Sequence, residues 1–175
     1  MHARDPLVLE LTALLKAHAV RNIVISPGSR HYAFTRTFEN DHDFRLHSVV
    51  DERSAAFYAL GLIQATGEPA ATICTSGTAA LNYGSAIAEA AAQKLPLVAI
   101  TTDRLPDYLG QMEDQMIDQR GLFNRSVRHA VDLRPIVNER DRWYCNRVIN
   151  EALVAAREGG PVHINVPIES HSGVP

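Results

Sequence analysis

Four short polar stretches each follow a run that reads as a strand, and each carries residue types that do chemistry. They are Ser26-Pro27-Gly28-Ser29-Arg30, Asp51-Glu52-Arg53, Thr75-Ser76-Gly77-Thr78 and Thr101-Thr102-Asp103-Arg104. After a Pro-Gly turn, Ser29 and Arg30 could hold an anion, with backbone N–H groups and a guanidinium that grips a carboxylate through two parallel hydrogen bonds. A plain turn with a solvated arginine explains the same residues. Glu52 opens an Ala-rich run, where a carboxylate can serve a binding or proton-handling role or simply face the positive end of a helix dipole. Ser76, Gly77 and Thr78 could cradle a ligand through backbone amides or form a helix cap. Arg104 is a second strand-end arginine, which strengthens the case for an anionic ligand and is alone a common surface residue.

The other reactive residue types are scattered. Eight histidines form no His-Glu-x-x-His pattern, and no His/Cys cluster has metal spacing. His47 and His163 fall within strands and read as core or edge residues. Cys74 and Cys145 lie far apart in apolar or helical contexts, so a disulfide framework is not expected. There is no Gly-x-Gly-x-x-Gly, no Walker A sequence and no Gly-x-Ser-x-Gly elbow, which disfavours nicotinamide, P-loop and serine-hydrolase chemistry. Trp143, Met112 and Met116 read as core or interface packing.

The elements that must position the polar stretches alternate. Helices are expected over residues 6–19, 31–38, 53–65, 79–92 and 141–158, and strands over 22–26, 44–50, 70–75, 97–102, 127–133 and 162–166. Leu7, Leu11, Leu14 and Leu15 share one helical face. Residues 105–124 are polar, with no clear period. Strands alternating with helices predict an α/β fold, an open, mostly parallel sheet with helices on both faces. Ligands of such sheets bind beyond the carboxyl ends of the strands, where the four stretches converge.

Composition sets the frame. The chain has 175 residues, 46% hydrophobic and 21% charged, which suits one globular domain. With 17 Lys+Arg against 20 Asp+Glu the net charge is −3, which lacks the basic field that nucleic-acid binding needs. No apolar run approaches the ~18 residues that span a bilayer, so no transmembrane segment is expected. The first five residues lack the layout of a signal peptide, and a cytoplasmic protein is expected.

Taken together the polar stretches resemble the N-terminal, pyrimidine-binding domain of thiamine-diphosphate-dependent enzymes. Within that superfamily they are most similar to the 2-succinyl-5-enolpyruvyl-6-hydroxy-3-cyclohexene-1-carboxylate synthases of menaquinone biosynthesis. The likeness rests on Ile25-Ser26-Pro27-Gly28-Ser29-Arg30, on Asp51-Glu52-Arg53-Ser54-Ala55-Ala56-Phe57-Tyr58-Ala59-Leu60-Gly61, and on Thr75-Ser76-Gly77-Thr78-Ala79. Thr102-Asp103-Arg104, Gln115-Met116-Ile117-Asp118-Gln119 and Gly160-Pro161-Val162-His163-Ile164-Asn165-Val166-Pro167 complete it. The Ser-Pro-Gly-Ser-Arg and glutamine stretches are its more specific part.

The resemblance implies a pyrimidine domain over residues 1–168, with 169–175 starting a linker to further domains. It implies that Glu52 hydrogen-bonds N1′ of the cofactor's aminopyrimidine, which favours the tautomer whose 4′-nitrogen takes the proton from thiazolium C2. Ser76, Gly77 and Thr78 would lie close to thiamine diphosphate. Ser29, Arg30, Arg104 and Gln115 would line the site for 2-oxoglutarate and isochorismate, both polyanions suited to arginines. The Mg²⁺ ligands of the superfamily lie in a Gly-Asp-Gly…Asn motif of another domain. No Gly-Asp-Gly occurs here, so no metal ligand is expected in this chain. The chain would supply half a site, inactive alone, in a homodimer or larger assembly, with the helix over 53–65 presenting Phe57, Tyr58 and Leu62 to a partner.

His31-Tyr32-Ala33, Leu105-Pro106-Asp107 and Asp114 depart from the family's pattern in the substrate-facing loops, which leaves the acceptor open. Two alternatives stand beside this reading: a subunit of a split 2-oxo-acid decarboxylase, and a noncatalytic relative with a degenerate site. The retained Glu52 argues against the second.

Overall fold

A computed structural model describes residues 5–169. The expectations for the first four residues and for 170–175 of the linker lie outside them.

Local chemistry sets the helix ends. The Asp5 carboxylate accepts from the Leu7 and Val8 amides and starts α1 (Pro6–Ala17), with Pro6 in the first turn, where its missing N–H costs nothing. Leu7, Leu11 and Leu15 turn inward and are fully buried. The Asp51 carboxylate accepts from the Ser54 amide and starts α3 (Glu52–Thr66), which stops at Gly67 in the left-handed region. Asn138 does the same for α6 (Glu139–Arg157). Between these lie β1 (Asn22–Ile25), α2 (Tyr32–Glu39), β2 (Arg45–Ser48), β3 (Ala70–Cys74), α4 (Thr78–Leu81), α5 (Gly84–Gln93), β4 (Leu97–Asp103), β5 (His129–Asp132) and β6 (Val162–Pro167).

The six strands form one sheet in the order β2-β1-β3-β4-β6-β5, and every pairing is parallel. One core cluster gathers α1, α2 and α6 against the sheet through Leu11, Phe34, Phe38, Ile149 and Leu153. The other gathers α3, α4 and α5 through Ala56, Ala59, Tyr83, Ile87 and Ala90. Both faces are therefore covered, as a parallel sheet requires. The α/β expectation holds, and the sheet is wholly parallel.

The chain leaves β1 toward β2 on one side and continues to β3 on the other. The tips of β1 and β3 thus flank a topological switch point, the usual ligand crevice of an open α/β sheet.

Several elements differ from expectation. The helix expected over 79–92 is two helices, because Asn82 turns its Nδ2 back onto the Thr78 carbonyl at 3.2 Å and the backbone breaks before Tyr83. The strands expected over 44–50 and 127–133 shrink to four residues each, at the two edges of the sheet. Residues 105–127 are a string of turns with one short 3₁₀ helix, Pro106–Tyr108. Met112 and Trp143 are exposed rather than core, and Leu62 packs partly against the core instead of standing free.

Candidate functional site

The turns after β1 and β3 meet across the switch point. A Cβ on Gly28 would stand 2.6 Å from the Thr75 Cβ, so only glycine permits this approach. His31 is buried and fixes the first turn: its Nε2 lies 2.7 Å from the Ser26 carbonyl and its Nδ1 3.0 Å from Thr35 Oγ1. Arg30 then reaches over the crevice. Its Nε donates to Ser76 Oγ at 3.1 Å and its NH1 to the Ile168 carbonyl at 2.9 Å. One guanidinium therefore ties together the tips of β1, β3 and β6. Burial and the nearby Arg104 lower the Arg30 pKa, yet a guanidinium stays charged at any physiological pH.

The turn after β3 is held from the other side by the 105–127 segment. Gln115, itself at φ 48°, accepts from the Thr78 amide at 3.2 Å, and its Nε2 donates to the Ser76 carbonyl at 2.9 Å. Gly77 has φ 80°, and a Cβ there would stand 2.0 Å from the Gln115 oxygen. The Gly77 amide donates to Oε1 of Gln119. The amides of Gly77 and Thr78 are thus taken up inside the protein. Ser76 does not cap α4, whose N-cap is Gly77, so its hydroxyl is free to serve Arg30. Thr78 and Ser29 are exposed.

Arg104 follows β4 and is already paired. Its NH1 donates to Glu113 at 2.6 Å and its NH2 to Asp114 Oδ1 at 2.6 Å, while the buried Nε has no partner among the described residues. Beside it, Asp103 accepts from the Arg104 amide at 2.8 Å and from Asn165 Nδ2 at 2.9 Å. Burial raises the Asp103 carboxyl, against these two hydrogen bonds. The network continues inward. Thr101 Oγ1 donates to Asn165 Oδ1 at 2.9 Å and lies 2.8 Å from His163 Nε2. Burial holds His163 down at about 4, so it is neutral at pH 7. A narrow cleft of about 40 Å³ lies between Asp103, Arg104, Met116, Asp118 and Asn165.

Glu52 is the first residue of α3 and half-buried. Capping falls to Asp51, so the Glu52 carboxylate is left without a hydrogen bond or ion pair among the described residues. Its charge reaches the tip of β3: burial drives the Cys74 thiol up to about 12, and Glu52 adds to that rise. Cys74 and Cys145 are free and buried, as expected.

Of the expected site residues, Arg30, Ser76, Thr78 and Gln115 are linked by hydrogen bonds, and Gly77 joins them through Gln119 and the close approach of Gln115. Ser29 adjoins them in sequence, Arg104 sits across from Arg30 with its charge engaged, and Glu52 lies toward the β3 tip. Gln119, Asn165, Thr101 and His31 hold these residues in place and were not singled out as site residues from the sequence. Gln119 and Asn165 stand in stretches that carry the resemblance but offer no reactive group, and His31 reads as a departure from it. Among the described residues no group of three or more His, Cys, Asp or Glu could hold a metal ion. No described helix is long and apolar enough to cross a membrane.

A parallel sheet with two interlocked turns at its switch point defines an open α/β domain with a crevice at its strand tips. Residues 10–122 match the family described as thiamine pyrophosphate enzyme, N-terminal TPP binding domain, and the chain belongs to that family. It is similar to a Phocaeicola vulgatus protein named 2-succinyl-5-enolpyruvyl-6-hydroxy-3-cyclohexene-1-carboxylate synthase, 48% identical over 170 residues, which are 96% of this chain and 30% of the relative. Proteins of the same name from Bacteroides fragilis (48% identical, 96% of this chain, 31% of the relative) and Flavobacterium johnsoniae (40%, 97% and 30%) align as fully. The chain thus spans about 30% of the length of the relatives it matches.

Proposed function

We propose that this chain is the pyrimidine-binding domain, over residues 1–168, of a 2-succinyl-5-enolpyruvyl-6-hydroxy-3-cyclohexene-1-carboxylate synthase of menaquinone biosynthesis. The enzyme decarboxylates 2-oxoglutarate and joins the remaining carbon unit to isochorismate. The chain supplies half the active site and is inactive alone. Residue 169 starts the linker to the other domains. The protein works in the cytoplasm as a homodimer or larger assembly, with Phe57 and Tyr58 of α3, exposed by 44% and 46%, facing a partner.

The observation that carries this reading is Glu52, a carboxylate at a helix start that neither caps the helix nor pairs with a neighbour among the described residues. It faces the positive end of the α3 dipole, and both of its oxygens stay open to a ligand. The residues fit the pyrimidine half of thiamine diphosphate in the donor they offer: a half-buried carboxylate, unpaired among the described residues, at the start of α3 toward the β3 tip. When bound, thiamine diphosphate supplies a nucleophilic carbon and an electron sink for loss of CO₂ from a 2-oxo acid. Glu52 would hydrogen-bond the pyrimidine N1′, and Ser76, Gly77 and Thr78 would stand beside the ring. Ser29, Arg30 and Gln115 face the substrates, and Arg30, a permanent cation, attracts their carboxylates. Arg104 joins them once its acidic partners give way. Mg²⁺ and the diphosphate take their ligands from the rest of the protein.

The test is turnover by the full-length protein with thiamine diphosphate, Mg²⁺, 2-oxoglutarate and isochorismate, read as CO₂ release and formation of the adduct. Release of CO₂ with no dependence on isochorismate would favour a 2-oxo-acid decarboxylase. No release would point to a degenerate relative.

A further inference from the structure

We infer that Gln119 is a positioning residue for this site, acting through Gly77 and Gln115 and touching no substrate itself. The inference rests on the reading above for what the site binds.

The side chain of Gln119 is completely buried and uses both ends. Its Oε1 accepts from the Gly77 amide. Its Nε2 donates to the Thr102 carbonyl at 3.2 Å and to Asn165 Oδ1 at 2.9 Å. Three separate pieces of chain meet on one amide: the turn after β3, the tip of β4 and the strand β6. Residues 105–127 have no regular backbone ladder of their own, so side-chain anchors must fix where they run. Gln119 is the fully buried anchor among them, and it binds the turn after β3 through the Gly77 amide. Four residues before it, Gln115 lies against Gly77 at a distance that excludes any Cβ. Fixing Gln119 to the Gly77 amide therefore fixes the position of Gln115 against Ser76, and Ser76 is the residue that orients Arg30. Two facing elements of the site are set by one side chain that reaches neither ligand. A buried amide suits this task because it is both donor and acceptor without charge. Leaving its partners unpaired in a dry site would be costly, so the arrangement is stiff.

The experiment compares Gln119→Met and Gln119→Glu in the full-length protein. Methionine keeps the length and loses all three hydrogen bonds. Glutamate keeps the shape and the acceptor toward Gly77, but its second oxygen faces the Thr102 carbonyl and Asn165 Oδ1 and replaces the lost donor only when the carboxyl is protonated. For Q119M the expected result is a rise of about tenfold or more in KM for the 2-oxo acid and in the thiamine diphosphate Kd by calorimetry, with kcat at saturation within about threefold of wild type. Q119E should recover part of both losses only as the pH falls and its buried carboxyl takes up a proton, a recovery that Q119M cannot show. An unchanged KM and Kd in Q119M, or a fall in kcat alone, overturns the inference. So does a Q119E loss with the same pH dependence as that of Q119M. If either variant fails to fold, hydrogen exchange of the wild-type protein decides: the Gly77 amide should be strongly protected, and rapid exchange there overturns the inference. That readout needs no turnover. A wild-type protein inactive with both substrates would defeat the functional reading, and the Gly77 amide would still test Gln119.

Discussion

Arg30 donates to Ser76 Oγ at 3.1 Å across the gap between the β1 and β3 turns, and this contact closes the switch point of the sheet. The same guanidinium reaches the Ile168 carbonyl at 2.9 Å. A lysine offers a single ammonium on a flexible stem and cannot span both acceptors in a fixed plane. Arg30→Lys should therefore raise KM for the anionic substrates about tenfold while kcat falls much less. Saturation curves for each substrate check this, and unchanged curves for both would remove Arg30 from the substrate site.

Glu52→Gln keeps the size of the side chain and removes its charge. Because Glu52 has no hydrogen bond or ion pair among the described residues, the fold should lose little. Thermal unfolding within about 2 °C of wild type is expected, together with a fall in kcat of at least about a hundredfold, the usual scale of a lost proton-handling group. Stopped-time CO₂ assays on a folded variant make the measurement. Near-normal turnover would strike Glu52 from its role.

Gly77→Ala tests the backbone contact directly. The added methyl carbon would meet the Gln115 carbonyl at 2.0 Å, and φ 80° is itself strained for alanine. Strain of this backbone kind costs about 1–3 kcal/mol before the clash is counted. The denaturation midpoint should drop clearly, and Gln115 should be displaced. A variant as stable as wild type would mean that the turn and the glutamine segment are not in contact.

The sheet was legible because buried parallel strands are short apolar runs, and their polar ends announce the ligand edge. Asn22–Ile25 and Ala70–Cys74 stood out for that reason. The break before Tyr83 was hidden because Ala79, Ala80, Ala86 and Ala90 keep one helical stripe through it, and only the Asn82 side chain marks the interruption. Site residues next to strand ends could be picked by position. Gln119 and Asn165 could not, because their partners are distant in sequence and meet only once the 105–127 segment has folded onto the β4 and β6 tips. The ion pairs of Arg104 were hidden in the same way, since Glu113 and Asp114 come back to it through a run of irregular turns.

Buried histidines give the domain an acid limit. Burial lowers His163 from 6.5 to about 4, so as the pH falls the unfolded chain takes up this proton first. The contribution is intact above about pH 6.5 and is lost between 6.5 and 4, at up to about 1.4 kcal/mol per pH unit. His31 is also lowered by burial and acts in the same direction. Asp103 and Asp132, raised by burial, act oppositely: the folded state takes up their protons first, which offsets part of the loss near the acid end. Denaturation midpoints at pH 7.5 and 5.0 should differ less in His163→Gln than in wild type. Equal differences would show that His163 does not carry the acid sensitivity.

On the proposed reading, a substrate carboxylate would reach Arg104 only in competition with the chain's own acids. Glu113 and Asp114 each hold one of its terminal nitrogens at 2.6 Å, and the Asp114 side chain is 85% exposed. A substrate carboxylate reaching Arg104 must displace at least one of them. An exposed ion pair is worth about 0–1 kcal/mol, so neutralising Asp114 should release a comparable amount of binding energy. Asp114→Asn is expected to lower KM for the substrate that Arg104 grips by about two- to fivefold and to leave kcat unchanged. Added salt should narrow the gap between variant and wild type, since it screens the exposed pair. A raised KM would mean that Asp114 is needed to aim the guanidinium, and that the pair is part of the working site instead of a competitor for it.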